Sequence, residues 1–121
     1  MITPPLDGTI LPGVTRDSVL ALAASHSHET PLPGLEPTLR MHTHERTLTM
    51  PEVREYASNG VLVEAFCVGT AVIVGSVSRI GYDDKDVIIP EQNLVAKGLL
   101  HRIEAIQEGR FEWQGWSVRC E

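Results

Sequence analysis

Apolar residues recur at helical spacing near both ends of this 121-residue chain, and strand-like runs lie between them. The Leu- and Ala-rich run "SVLALAA" predicts a first helix, capped by Thr15 or Asp17. An amphipathic helix is predicted to begin at Asn93 and to end at Gly109. Its apolar residues, one turn apart, are Val95, Leu99, Ile103 and Ile106.

A short helix is predicted in "TMPEVREYASNG". Thr49 and Glu52 have the spacing of a capping box, in which each residue's side chain bonds the other's backbone N–H. Pro51 lies in the first turn, where its missing N–H costs nothing. Asn59 and Gly60 close the helix, since glycine accepts a positive φ.

Two apolar, β-branched runs, 61–66 ("VLVEAF") and 71–80 ("AVIVGSVSRI"), predict largely buried strands. The polar "GYDDKD" predicts a turn, "VIIP" a short strand, and "FEWQGWSVRC" a last strand. The order helix, helix, strands, helix, strand predicts a mixed α/β fold in one unit over 1–121.

Residues 25–45 interrupt this pattern with a Pro- and His-rich segment. Its prolines and glycine exclude a regular helix and predict a long surface loop. Two H-x-H pairs lie in it: His26 with His28, and His42 with His44. Imidazoles at that spacing could bind a metal ion. Solvated loop histidines are the favoured interpretation, because a loop of this kind holds no fixed ligand geometry, and no metal site is predicted.

Composition narrows the class of protein. The net charge is −6 with only two lysines, Lys85 and Lys97, which argues against a nucleic-acid partner. Cys67 and Cys120 are too far apart for a metal pair, and Cys67 is predicted to be a buried thiol in a reducing compartment. No apolar run approaches the roughly 18 residues of a membrane span. We expect a soluble, intracellular protein without a targeting signal.

Two stretches could bind an anion. In "LDGTILPGVTRDSVL" a tight turn delivers the amides of Val14 and Thr15 to a helix amino end, where the dipole favours negative charge. In "CVGTAV" Gly69 indicates a bend that would present the amides of Thr70 and Ala71. Spacing alone favours a plain helix cap in the first stretch and a bulge or sheet corner in the second.

Five blocks in this order resemble the C-terminal part of branched-chain amino-acid aminotransferases, which are fold-type IV enzymes dependent on pyridoxal phosphate. The blocks are "PPLDGTILPGVTRDSVL", "ERTLTMPEV", "VLVEAF", "GTAVIVGSVSRIGY" and "IQEGRFEWQGWSV". The resemblance runs from Thr3 nearly to the end of the chain, interrupted by the loop. It implies part of a D-amino-acid-aminotransferase-like domain in which strands pack with helices.

The resemblance also joins the two anion stretches into one site. It implies that Gly13, Val14, Thr15, Gly69 and Thr70 bind the phosphate of pyridoxal phosphate. The amides of Thr70 and Ala71 would receive the α-carboxylate of the substrate. In this family Arg16 is expected to be structural.

The family's catalytic lysine, and the residues that bind the cofactor ring, match positions upstream of "PPLDGTILPG". Neither Lys85 nor Lys97 matches that lysine, so the resemblance assigns no catalytic residue to this chain and implies that the chain alone is inactive. Some relatives carry a C-x-x-C redox pair where this sequence has Val72 and Gly75. We therefore expect no such switch.

The leading hypothesis is a C-terminal fragment of a branched-chain transaminase. The intact enzyme, a homodimer in the cytoplasm or in mitochondria, would pass the amino group of leucine, isoleucine or valine to 2-oxoglutarate. Its partners are these small amino acids and 2-oxo acids. One alternative is a non-catalytic remnant or ligand- or partner-binding module, and another is a piece of a different fold-type IV enzyme, such as a D-amino-acid aminotransferase.

Overall fold

The computed structural model describes residues 1–120, which form three helices and six short strands. The helices are α1 (Val14–Ser25), α2 (Met50–Ser58) and α3 (Leu94–Gln107). The strands are β1 (Ile2–Thr3), β2 (His44–Glu45), β3 (Phe66–Gly69), β4 (Ile73–Ser76), β5 (Arg79–Tyr82) and β6 (Lys85–Ile88). The mixed α/β class predicted from the sequence is confirmed.

The described strands pair only in twos. β1 and β2 are parallel, with Ile2 opposite His44. β3 and β4 form an antiparallel hairpin in which Gly69 faces Ile73, and in the second hairpin, β5–β6, Tyr82 faces Lys85. The predicted polar turn is present at the tip of the second hairpin, where Asp83 and Asp84 have positive φ.

The predicted strands differ from the observed ones in three places. The run 61–65 is irregular, and Val61 and Val63 are exposed, because this run has no neighbouring strand to pair with in the described chain. The run 71–80 breaks at Val77 and Ser78, since the Val77 N–H donates to Ala65 while the Ser78 carbonyl accepts from Ile89. No described residue after Phe111 is in a strand, so the predicted last strand is wrong.

The helix ends confirm one predicted cap and correct another. In α2 the Thr49 N–H donates to Glu52 at 2.9 Å and the Glu52 N–H donates to the Thr49 hydroxyl at 3.4 Å, as the capping box requires. α1 begins one residue before Thr15, so Thr15 and Asp17 lie inside its first turn and the N-cap is Gly13. α3 ends as predicted, with Gly109 at φ +72°.

The core lies between α1, α3 and β4 and includes part of the predicted surface loop. Its buried residues are Val19, Leu22, Ala23, Leu32, Leu35, Val74, Ala96, Leu99, Ile103 and Ile106. Leu32 and Leu35 come from the loop, which is therefore not purely a surface segment. Arg102 of α3 donates to the Pro31 carbonyl at 2.7 Å, and a Cβ at Gly98 would lie 2.8 Å from the Pro33 carbonyl oxygen. The loop is thus packed against α3.

His26 and Cys67 correct two further predictions. His26 is buried, not solvated: its Nδ1 accepts the Leu32 N–H at 3.0 Å, which leaves Nε2 to donate to the Glu36 carbonyl at 3.0 Å. Both ring nitrogens are therefore satisfied. Cys67 is exposed, because side chains alternate along β3 and its neighbours Phe66 and Val68 pack against the core.

The other histidines of the predicted loop, His28, His42 and His44, are exposed as predicted, but His44 lies in β2 and not in a loop. Within residues 1–120, no three His, Cys, Asp or Glu side chains lie together as metal ligands would. No helix of the described chain is long and apolar enough to cross a membrane.

Candidate functional site

The amino end of α1 presents free amides. The Gly13 N–H donates to Leu11 and the Asp17 N–H donates to the Gly13 carbonyl, at 2.8 and 3.1 Å. Between them, the amides of Val14, Thr15 and Arg16 meet no acceptor within residues 1–120, and Gly13 offers no side chain to cap them. Val14 is 82% exposed, so this end faces solvent. Such a helix end can bind an anion.

The Arg16 side chain is directed to the protein instead. Its Nη2 donates to the Pro4 carbonyl at 2.8 Å and to Glu45 at 2.6 Å, and only 11% of the side chain is exposed. These bonds tie α1 to the β1–β2 pair. These contacts are consistent with the structural role that the resemblance implies for Arg16, which stays a prediction. Both bonds come from Nη2, whereas Nε is buried and has no hydrogen-bond partner within residues 1–120.

The tip of the β3–β4 hairpin is the second set of donors. Thr70, Ala71 and Val72 link the two strands and are exposed. In the described chain the amides of Thr70 and Ala71 meet no acceptor. The next residue, Ile73, has φ +58°, which is strained for a β-branched side chain. Ile73 packs against the core, and this packing holds the strained turn in place.

Gly69 precedes this tip and leaves space beside it. A Cβ there would meet no atom within 4 Å, and the residue does not have a positive φ. A glycine at this position predicts that another group lies close to its backbone, but no atom of the described residues does so. The open space would admit a ligand beside the amides of Thr70 and Ala71.

α1 packs against β3, so both donor sets belong to one packed region. Gly13, Val14 and Thr15 lie at the amino end of α1, whereas Gly69, Thr70 and Ala71 lie at the hairpin's turn. That the two sets bind one phosphate stays a prediction. Lys85 on β6 and Lys97 on α3 are both exposed.

Glu64 is a polar contact that the sequence patterns did not identify. Its carboxylate accepts the Val95 N–H at 2.8 and 3.1 Å and the Ala96 N–H at 3.1 Å. The N-cap residue Asn93 makes no capping bond with its side chain, so Glu64 caps α3 from 31 residues away. The one available signal was an acidic residue inside an apolar run.

A groove of about 560 Å³ runs between α1, α2 and residues 61–68. It is mainly apolar, with Val19, Leu20, Val53, Phe66 and Val68 among its lining residues, and Glu64 also reaches it. An open apolar groove of this size is typical of a surface that binds another apolar group.

No protein-family model matches the chain. Individual relatives do match it along nearly its whole length. It is 41% identical to the cytosolic branched-chain-amino-acid aminotransferase of Saccharomyces cerevisiae, over 97% of this chain and 30% of that protein. It is 40% identical to the mitochondrial form from the same yeast, again over 97% of this chain, and 38% identical to the branched-chain-amino-acid aminotransferase of Dictyostelium discoideum, over 98% of it. The chain spans about 30% of the length of these relatives.

Proposed function

We propose that this chain, which is homologous along 97% of its length to branched-chain-amino-acid aminotransferases, forms the C-terminal, phosphate- and carboxylate-binding part of such an enzyme. The intact enzyme would transfer the amino group of leucine, isoleucine or valine to 2-oxoglutarate. The proposal rests on two sets of backbone amides that meet no acceptor, one at Val14 and Thr15 and the other at Thr70 and Ala71, in a chain that is similar to these aminotransferases.

The donor set at α1 suits the phosphate of pyridoxal phosphate. A phosphate dianion accepts several hydrogen bonds, and the amides of Val14 and Thr15 with the Thr15 hydroxyl are neutral donors at the positive end of a helix dipole. Thr70 adds a hydroxyl, and Gly69 keeps the backbone clear. When bound, the cofactor supplies the ring that stabilises negative charge at the carbon of the amino acid.

The hairpin tip suits the substrate. The free amides of Thr70 and Ala71 would hold the α-carboxylate, as successive backbone N–H groups in a turn do for anions. Two fixed donors orient the amino acid before reaction, and they need no rearrangement when charge develops. This part of the enzyme would therefore bind and orient, while residues outside this sequence move the protons.

The two lysines of the sequence, Lys85 and Lys97, point to solvent on other elements, so we assign neither a covalent role. The chain alone is therefore expected to show no transamination. The purified chain, mixed with pyridoxal phosphate and leucine, should give no turnover. Turnover by the chain would contradict this assignment.

The cellular setting follows the relatives. Two of them are named as cytosolic and mitochondrial yeast enzymes, and we propose an intracellular location for this chain as well. Fold type IV, a homodimeric assembly, amino-acid and 2-oxo-acid partners, and the absence of a nucleic-acid or membrane role are parts of the same proposal. The acidic net charge of −6 supports the exclusion of nucleic acid.

A chimera tests the proposal directly. This chain would replace the matching 30% of the yeast cytosolic relative, and the purified chimera would be assayed with leucine and 2-oxoglutarate. We expect activity that Thr70→Ala lowers. A chimera that folds and binds pyridoxal phosphate but acts only on D-amino acids would favour another fold-type IV enzyme. One that binds the cofactor and transfers nothing would favour a remnant.

A further inference from the structure

Glu64 fixes the base of the hairpin whose tip carries Thr70 and Ala71. Its carboxylate is held by the Val95 and Ala96 amides at 2.8 to 3.1 Å. The next residue, Ala65, accepts the Val77 N–H at 2.8 Å, immediately before β3 begins. The carboxylate therefore joins the base of the β3–β4 hairpin to the amino end of α3.

The hairpin has no other lateral support from a strand. β3 and β4 form a two-stranded sheet in the described chain, and such a pair is marginal without packing. Apolar packing against the core supplies the rest of its support: Val74 is buried there, and Phe66, Val68 and, next to the tip, Ile73 are partly buried against it. An apolar face fixes the distance from the core, but it resists sliding and rotation less than directional hydrogen bonds do.

The length of the hairpin amplifies small movements at its base. β3 runs from Phe66 to Gly69 with Thr70 directly after it, and at about 3.3 Å per residue the step from Phe66 to Thr70 is about 13 Å. A rotation of β3 by about 5° at its base would then move the tip by about 1 Å. A misplacement of about 1 Å in groups that bind a substrate can reduce the rate by about 100-fold.

We propose that Glu64 is a positioning residue that sets the place of the Thr70 and Ala71 amides through the β3–β4 hairpin. Glu64 touches neither ligand, and its effect passes along β3. The inference rests on the proposed function, in which those two amides hold the substrate carboxylate and the Thr70 hydroxyl contributes to the phosphate site. A residue that only caps α3 would leave the tip unchanged when it is altered.

Amide NMR of the ¹⁵N-labelled chain separates these two roles. Glu64→Ala should shift the resonances of Thr70 and Ala71. Glu64→Asp keeps a charged cap but shortens the side chain by one methylene, which draws the base toward α3, so the same resonances should shift. Glu52→Ala is the matched control, because it removes a carboxylate cap from α2 and should leave the tip unchanged.

The inference is overturned if both Glu64 variants change only the Val95 and Ala96 amides while Thr70 and Ala71 keep their wild-type shifts. If Glu64→Ala does not fold, Glu64→Asp decides alone. This measurement needs no ligand, so it stands even if the proposed function fails.

The yeast chimera then gives the catalytic readout. Glu64→Ala and Glu64→Asp should each lower kcat/KM for leucine roughly tenfold or more, with pyridoxal phosphate still bound. Glu52→Ala should leave kcat/KM near the unmutated chimera. Equal losses in Glu52→Ala and the Glu64 variants would overturn the positioning role. An inactive unmutated chimera would count against the proposed function, and the NMR result would still decide the role of Glu64.

Discussion

The amino ends of α1 and α3 are built from the same backbone groups but have different partners. At α3 the amides of Val95 and Ala96 bond the carboxylate of Glu64. At α1 the amides of Val14 and Thr15 meet no acceptor in the described chain. A glycine N-cap is less stabilising than a side-chain cap by only a few tenths of a kcal/mol, so leaving the end of α1 open costs little stability. The proposed function assigns this open end of α1 to the cofactor phosphate.

The amino end of α2 completes this comparison. Its capping box is local, with Thr49 and Glu52 three residues apart, and it ties the helix to Arg46 through a 3.0 Å ion pair with Glu52. In two of the three described helices, a carboxylate of the chain itself therefore caps the amino end.

Removing the carboxylate at α3 should have the largest effect on stability. Glu64→Ala leaves two amides without their acceptor, one of them on the buried residue Ala96, and hydrogen bonds to charged groups contribute about 1.5–3 kcal/mol. We expect a loss of about 2 kcal/mol in urea denaturation. Glu64→Gln, which keeps one acceptor oxygen, should lose less. A Glu64→Ala chain as stable as the unmutated one would contradict the assigned cap.

Gly98 lies in a tightly packed place and Gly69 lies beside open space, so replacing each by alanine should have different effects. Gly98→Ala places a methyl group 2.8 Å from the Pro33 carbonyl, and such overpacking costs about 1–3 kcal/mol. Gly69→Ala meets nothing within 4 Å and should change the free energy of unfolding by less than about 0.5 kcal/mol. In the yeast chimera Gly69→Ala should nevertheless weaken pyridoxal phosphate binding. Unchanged affinity there would mean that the open space is not used by the cofactor.

The cap of α2 gives a moderate effect. Thr49→Ala removes the hydroxyl that accepts the Glu52 N–H, and the expected loss is about 1 kcal/mol by thermal or urea unfolding. Ligand binding at α1 should be unaffected. A change in phosphate affinity would show that the helix ends are not independent.

The same cap has a pH dependence. The Thr49 backbone N–H, and then Arg46, hold the pKa of the Glu52 carboxyl below its ordinary value. A carboxyl with a lowered pKa stabilises the fold above its unfolded pKa, and this contribution is lost as the pH falls through the folded pKa. Glu52→Gln should therefore flatten the acid side of the stability curve. An identical curve would count against this contribution.

Filling the open end should have the smallest effect on stability. Gly13→Asp supplies the carboxylate that α1 lacks, and the gain over glycine is a few tenths of a kcal/mol. The new carboxylate would compete with phosphate for the amides of Val14 and Thr15. We expect a strong loss of phosphate binding with slightly raised stability, and Gly13→Ala is the control that adds no charge. Undiminished phosphate binding by Gly13→Asp would place the anion elsewhere.

Features that depend on residues close together in the sequence could be predicted, whereas features that depend on distant residues could not. The capping box of α2 was predictable because both partners lie within one helical turn. The cap of α3 was not, because Glu64 lies 31 residues before Val95 and only the tertiary fold joins them. The N-cap of α1 was assigned to polar residues, since sequence rules favour them, whereas the structure uses Gly13 and leaves the end open.

The strand predictions were wrong where a strand-like run has no neighbouring strand to pair with. The run 61–65 has strand-like composition but remains irregular, because pairing depends on a neighbour and not on the run itself. The anion stretches were identified by their glycines and by resemblance. That their amides meet no acceptor depends on the hydrogen bonds of the folded chain, which the sequence alone does not give.

The most direct test of the account is a titration of the ¹⁵N-labelled chain with inorganic phosphate and then with pyridoxal phosphate. We predict saturable shifts of the Val14, Thr15, Thr70 and Ala71 amides, while Val95 and Ala96, already bonded to Glu64, stay in place. Equal responses at α1 and α3, or no response at α1 and the hairpin tip, would contradict the claim that α1 is the helix end kept open for an anion.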